Sequence, residues 1–88
     1  MRRRERMEEI LQKNFQPETM ELLDKSNLHR GHSEVGDGEE THFELTIKSK
    51  KLSNVSKVES HRKINSLLAD EFKSGLHALE IKVLIQKI

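Results

Sequence analysis

No cysteine occurs anywhere in the chain. Disulfides, thiolate metal ligands and thiol catalysis supplied by this chain alone are therefore excluded. The lack of cysteine suits a reducing compartment, and a cytoplasmic protein is expected. Tryptophan and tyrosine are missing too, and three phenylalanines make up the whole aromatic content. Only 33% of the 88 residues are apolar, so the core must be thin. A chain of this size buries only about 60% of the surface its unfolded form exposes. A deep, enclosed pocket for a large substrate is not expected. No apolar run approaches the roughly 20 residues of a membrane span. The basic start Met1-Arg2-Arg3-Arg4-Glu5-Arg6 is followed by no apolar stretch, so it does not read as a secretory signal. Neither sign of charge dominates: the formal charge is +1, although 35% of residues are charged. Overall attraction for nucleic acid is correspondingly small. Two local basic patches remain, Arg2 to Arg6 and a set comprising Lys48, Lys50, Lys51, Lys57, Arg62 and Lys63. Solvated surface is the ordinary reading of such charge.

The apolar pattern predicts one α+β domain over residues 1–88. Met7, Ile10, Leu11 and Phe15 form a helical stripe, which places a first helix at about residues 3–15. Pro17 stops it. A short strand is expected from Thr19 to Leu23. Residues 24–40 then bury almost nothing and carry three glycines and two histidines. A loop of that length is usually functional or disordered. In Thr41 to Ser49, Phe43, Leu45 and Ile47 alternate with His42, Glu44, Thr46 and Lys48, the pattern of a half-buried strand. Ser56-Lys57-Val58-Glu59 reads as a capping box opening a helix to about Phe72, with Val58, Ile64, Leu68 and Phe72 inward and Gly75 as its stop. Ala78 to Ile85 alternates again as a last strand. The first two strands can pair antiparallel across the loop. A right-handed crossover sets the third parallel to its neighbour. The result is a three-stranded mixed sheet with helices on one face.

Five histidines are the main chemical resource: His29, His32, His42, His61 and His77. His61 lies on the apolar side of the capped helix and reads as a core histidine with one ring nitrogen hydrogen-bonded. His77 enters the last strand, where a connector and a functional residue are equally open. His29 and His32 are spaced H-x-x-H, but a lone pair is a weak zinc signal because a structural site needs about four ligands. There is no Walker loop, no G-x-S-x-G and no H-E-x-x-H. No nucleophile–base pair is visible, so an enzyme is not expected.

Several strings together resemble the BolA family. They are Asp24-Lys25-Ser26-x-x-His29-x-Gly31-His32, Glu40-Thr41-His42-Phe43 leading to Ser49, Ser56-x-Val58-x-x-His61-Arg62-x-x-Asn65 followed by Leu67, Leu68 and Glu71, and Gly75-Leu76-His77-Ala78-Leu79. They stand in family order and spacing, from Ile10 onward. Leu52 stands where that family commonly has Phe, Asn54 where it has Gly, and Ser60 where it often has Arg. The first implies looser packing at the strand-to-helix turn; the last implies one positive charge fewer on the capped helix.

The resemblance implies a class II KH-like αββαβ fold and a monothiol, CGFS-type glutaredoxin as partner. It also implies a [2Fe–2S] cluster shared by that glutaredoxin, glutathione and histidine of this chain. His77 matches the family's strongest candidate ligand. His29, His32 and His42 compete for the second place, and the cysteine-free loop is of the histidine type. No cluster is expected to stay on the isolated chain, which should be a monomer, with homodimerisation left open. The alternative the resemblance carries is a DNA-binding transcriptional regulator using the capped helix with Lys50, Lys51, Lys57, Arg62 and Lys63. A zinc- or partner-binding module without iron is a third class.

Overall fold

The computed structural model describes residues 2–26 and 40–84. Helix α1 spans Arg3–Phe15. Its stripe of Met7, Leu11 and Phe15 is buried, with Ile10 packed alongside. The Arg2 backbone N–H donates to Glu5 Oε1 at 3.0 Å, which satisfies one of the amide groups a helix start leaves over. Gln16 ends the helix in the left-handed region, φ 45°, and Pro17 follows.

Strand β1 spans Thr19–Asp24, β2 His42–Lys48 and β3 Ala78–Val83. The sheet order is β1-β2-β3. β1 and β2 are antiparallel, with Leu22 opposite Leu45; β2 and β3 are parallel, with Leu45 opposite Ile81. The period-2 pattern of β2 is realised in full: Phe43, Leu45 and Ile47 are buried, while His42, Glu44, Thr46 and Lys48 are half-buried on the other face. The buried face joins Met7, Leu11, Phe15, Ile64 and Leu68 in one core, so the helices lie on one side of the mixed sheet. On the open face, Glu44 is flanked by Lys82 at 3.3 Å and Lys25 at 3.4 Å. Hydrogen bonding from Lys82 holds its carboxyl below the usual range, and Lys25 adds to the effect.

A short 3-10 turn, Lys50–Leu52, follows β2. Ser49 anchors it: its buried hydroxyl donates to the Phe15 carbonyl at 2.6 Å and accepts from the Lys51 N–H at 3.1 Å. Leu52 is buried and lines a cavity of about 210 Å³ with Val55, Ser60 and Val83.

The capped helix departs from expectation. Ser56 does cap it, accepting the Glu59 N–H at 3.1 Å, but α2 ends at Leu67 and a separate turn, α3, spans Ala69–Lys73. Leu68, at φ −100° and ψ 16°, is the break. The break keeps Leu68 in the core and turns Glu71 back onto α1. Val58 is 65% exposed rather than inward. The buried stripe runs through Ser60, Ile64, Leu68 and Glu71, about two residues out of phase with a stripe started at Val58. Ser60 faces the interior, so its lack of charge subtracts nothing from this chain's surface.

Glu71 is held by two arginines of the α1 start, Arg3 and Arg6. Arg6 Nε and Nη2 donate to it at 2.7 and 2.9 Å, and Arg3 Nε donates at 3.1 Å. These bonds join α1 to α3, and Gly75, at φ 130°, ends α3 beside them. Among the described residues no helix is long and apolar enough to cross a membrane.

Candidate functional site

Parallel pairing of β2 and β3 places the two strand starts together. His42 is the register partner of Ala78, so His77 arrives beside His42. The Thr41 carbonyl ties the edge, accepting the His77 N–H at 2.8 Å and the Ala78 N–H at 3.1 Å. The imidazole centroids are 5.7 Å apart with ring planes at 84°. His77 is exposed and His42 half-buried, so a partner surface can reach the pair. Thr41 Oγ1 lies 2.9 Å from His42 Nδ1. That contact helps to orient the ring.

The base of the loop is stitched directly beneath. Asp24 Oδ1 accepts both the N–H, at 2.9 Å, and the hydroxyl of Ser26. Asp24 Oδ2 accepts the Glu40 N–H at 3.1 Å, and Ser26 Oγ accepts the Thr41 N–H at 3.3 Å. The Lys25 N–H donates to the His42 carbonyl at 2.7 Å. The aspartate–x–serine string is thus the clasp that closes the loop onto the start of β2. Burial alone would raise the Asp24 carboxyl; the Ser26 hydroxyl and N–H and the Glu40 N–H outweigh it and hold the group low.

Glu40 is the hinge of this region, with a left-handed backbone at φ 60°, uncommon for a residue with a side chain. Its carboxylate accepts from Arg2 Nε and the Arg4 N–H, both at 2.8 Å. Burial acts to raise this carboxyl too, but those donors and the Arg2 charge keep it low. The basic N-terminus is therefore turned inward at Arg3 and onto the loop base at Arg2, not spread as a patch.

The sequence-derived candidates fall into three groups. His77 and His42 meet. His29 and His32 lie outside the described residues. His61 is half-buried on α2 rather than fully in the core, and its Nε2 is buried with no hydrogen-bond partner, so any bonded ring nitrogen there is not Nε2. Among the described residues no group of three or more histidine, cysteine, aspartate or glutamate side chains could hold a metal ion. The described residues thus offer two imidazoles on one accessible edge, each a possible metal donor.

Lys50, Lys51, Lys57, Arg62 and Lys63 are all exposed. Arg62 lies 3.6 Å from Glu59. Lys50 and Lys51 follow the C-terminal end of β2 and His42 opens it, so the strand rise separates the two candidate sites by roughly 20 Å. They are different surfaces. Sequence reasoning missed Thr41, Glu40, Arg3 and Glu71. Thr41 and Glu40 stand inside the Glu40-Thr41-His42 string that should have drawn attention to them; Arg3 carries no local signal.

A sequence profile of the family described as BolA-like protein matches residues 11–87. The chain is 48% identical over 80 residues to SufE-like protein 1, chloroplastic/mitochondrial, of Arabidopsis thaliana, a match covering 86% of this chain and 22% of that protein. It is 36% identical over 75 residues to the DNA-binding transcriptional regulator BolA of Vibrio cholerae, covering 85% and 67%. The solved structure of BolA1 from Arabidopsis thaliana matches with a TM-score of 0.86 at 38% identity, over 97% of this chain and 93% of that one. The chain spans about a fifth of the length of SufE-like protein 1.

Proposed function

The chain belongs to the BolA-like protein family, and from that premise we propose that it supplies histidine ligands to a [2Fe–2S] cluster shared with a monothiol (CGFS) glutaredoxin and glutathione. The setting is iron–sulfur cluster trafficking or iron/redox regulation in the cytoplasm. One observation carries the reading: His42 and His77, 5.7 Å apart on an accessible sheet edge, with no third ligand among the described residues. A [2Fe–2S] cluster on such a pair would take its thiolates from a partner, because this chain has no cysteine. Histidine in place of thiolate makes a cluster less negative and raises its potential, as in Rieske centres. Imidazole must be neutral to ligate, so binding competes with protons. Both properties suit a site that hands on or senses a cluster.

The test is circular dichroism of the complex reconstituted with a CGFS glutaredoxin and glutathione. His77→Ala and His42→Ala should each change the visible spectrum and shorten the cluster's lifetime, while His61→Ala changes neither. Iron and sulfide added to the chain alone should give no stable cluster. An unaltered spectrum and lifetime in His77→Ala would refute the assignment.

A second reading, nucleic-acid binding in transcriptional regulation, is favoured by the name of the Vibrio cholerae relative. The residues for it are Lys50, Lys51, Lys57, Arg62 and Lys63, at the other end of β2.

A further inference from the structure

We infer that Arg3 is a positioning residue for the histidine pair: its guanidinium ties together the two segments that lead into His42 and His77, and so sets the separation of their rings. The inference rests on the proposed histidine ligation for its functional consequence, though not for its geometry. Arg3 Nη1 donates to the Glu40 carbonyl at 2.8 Å, two residues before His42. Arg3 Nη2 donates to the Ser74 carbonyl at 2.8 Å and lies 3.3 Å from the Ser74 hydroxyl, three residues before His77. Nε, on the third edge, meets Glu71 at 3.1 Å. One rigid fork therefore spans both lead-ins. The bonds Thr41 accepts from His77 and Ala78 close the same edge one residue further on.

Three features mark this as a built arrangement. The Arg3 side chain is only 13% exposed, and its bonds to Glu71 and the Glu40 carbonyl are part-buried. Gly75 leaves room for it: a Cβ there would stand 2.9 Å from Arg3 Nη2, and φ is 130°. Glu40, whose carbonyl Arg3 takes, is pinned in its left-handed conformation by Arg2, Arg4 and Asp24. Strained backbone persists where its surroundings over-determine it. Arg3 also precedes the span 11–87 matched by the family profile, so the device is read from this chain's own contacts. Lysine cannot replace it, because an ammonium on a flexible stem lacks the planar fork that reaches two carbonyls in fixed directions.

The experiment uses the full chain in four variants: Arg3→Lys, Arg3→Met, Gly75→Ala and Glu71→Gln. The first readout is the nuclear Overhauser effect between the His42 and His77 ring protons, without metal. The second is cluster lifetime in the glutaredoxin complex. Arg3→Met should lose the inter-ring effect and shorten the lifetime about 10-fold or more, the usual scale for an outer partner of a ligand. Arg3→Lys should do the same while keeping a folded circular-dichroism spectrum. Gly75→Ala crowds the guanidinium with Arg3 still in place and should match it, but it also strains the backbone at φ 130°, so the folded Arg3→Lys variant keeps the test decisive if Arg3→Met does not fold. Glu71→Gln should lower the melting temperature yet preserve the ring contact and the lifetime. A wild-type ring contact in Arg3→Lys would overturn the inference, as would equal loss in Glu71→Gln, since Arg3 would then act through stability alone. A wild-type protein that assembles no cluster would sink the proposed function, and the ring contacts would still decide the role of Arg3.

Discussion

Replacing Glu71 by alanine should be among the more destabilising single changes available to this domain. The Glu71 side chain is 6% exposed and receives three charge-assisted hydrogen bonds, two from Arg6 and one from Arg3. Removing one partner of a fully buried pair costs about 3–5 kcal/mol, because the other charge is stranded. Here the stranding is partial: Arg6 is 40% exposed and can turn to water, and Arg3 keeps its bonds to the Glu40 and Ser74 carbonyls. A loss of about 2–3 kcal/mol follows. In a domain of this length each kcal/mol moves the melting temperature by about 4–8 °C, so a fall of about 10–20 °C is expected by differential scanning calorimetry. Glu59→Ala is the control. Its partner Arg62 is 3.6 Å away and the pair is 74% and 54% exposed, which limits the loss to under about 1 kcal/mol. The acid response gives a second check. Hydrogen bonding from Arg6 holds the Glu71 carboxyl below its usual value against the opposing effect of burial, with help from the Arg6 charge and from Arg3. A depressed folded-state value contributes stability that is present above the unfolded value of about 4.3 and lost as pH falls through the folded one. The gap between wild type and Glu71→Ala should therefore narrow below about pH 4. Equal melting temperatures for Glu71→Ala and Glu59→Ala, or a gap indifferent to acid, would refute the reasoning.

Ser60→Ala should stabilise the protein by about 0.5–1.5 kcal/mol in urea unfolding, because alanine favours the helix and removes a hydroxyl that lacks a partner; Ser60 is 1% exposed and its Oγ is the atom concerned. Unchanged or lower stability would mean that the hydroxyl is satisfied. Duplex DNA binding should be weak and fall steeply with salt, and neutralising Lys50, Lys51 and Lys57 should flatten that slope. A tight, sequence-selective complex at physiological salt, indifferent to those changes, would count against it.

The strands were legible because they are amphipathic in the simplest way. β2 alternates without an exception from His42 to Lys48, and the crossover rule leaves few places for β3 once β1 and β2 pair. The break at Leu68 was not legible. No proline or glycine marks it, and what accompanies it is tertiary: Glu71, just beyond the break, bonds to residues 65 and 68 positions earlier in the chain. The same distance hid the arginines: a run of charge near a terminus looks like solvated surface until its partners are known. Val58 misled for a related reason. It is apolar and close to a good cap, but one face of α2 holds only a few residues, and the stripe that fits the core passes through Ser60.

The histidine pair shows how far topology alone can go. His42 and His77 are 35 residues apart in sequence, yet parallel neighbouring strands must begin on one edge of the sheet, and both residues stand at strand beginnings. Their meeting follows from strand order and direction; hydrophobic alternation marks the strands, and the crossover rule sets the direction of the last one. Their orientation does not follow from it. That depends on the Thr41 contact with His42 Nδ1, on a left-handed Glu40, and on a guanidinium donated from the far end of the chain. None of these has a periodic signature, since each is one polar side chain answering one backbone group across the fold. Among the described residues no third ligand joins the pair, and the chain has no cysteine. On the proposed reading the thiolates of a cluster must then come from another molecule, which makes the proposed activity a property of a complex rather than of the isolated domain.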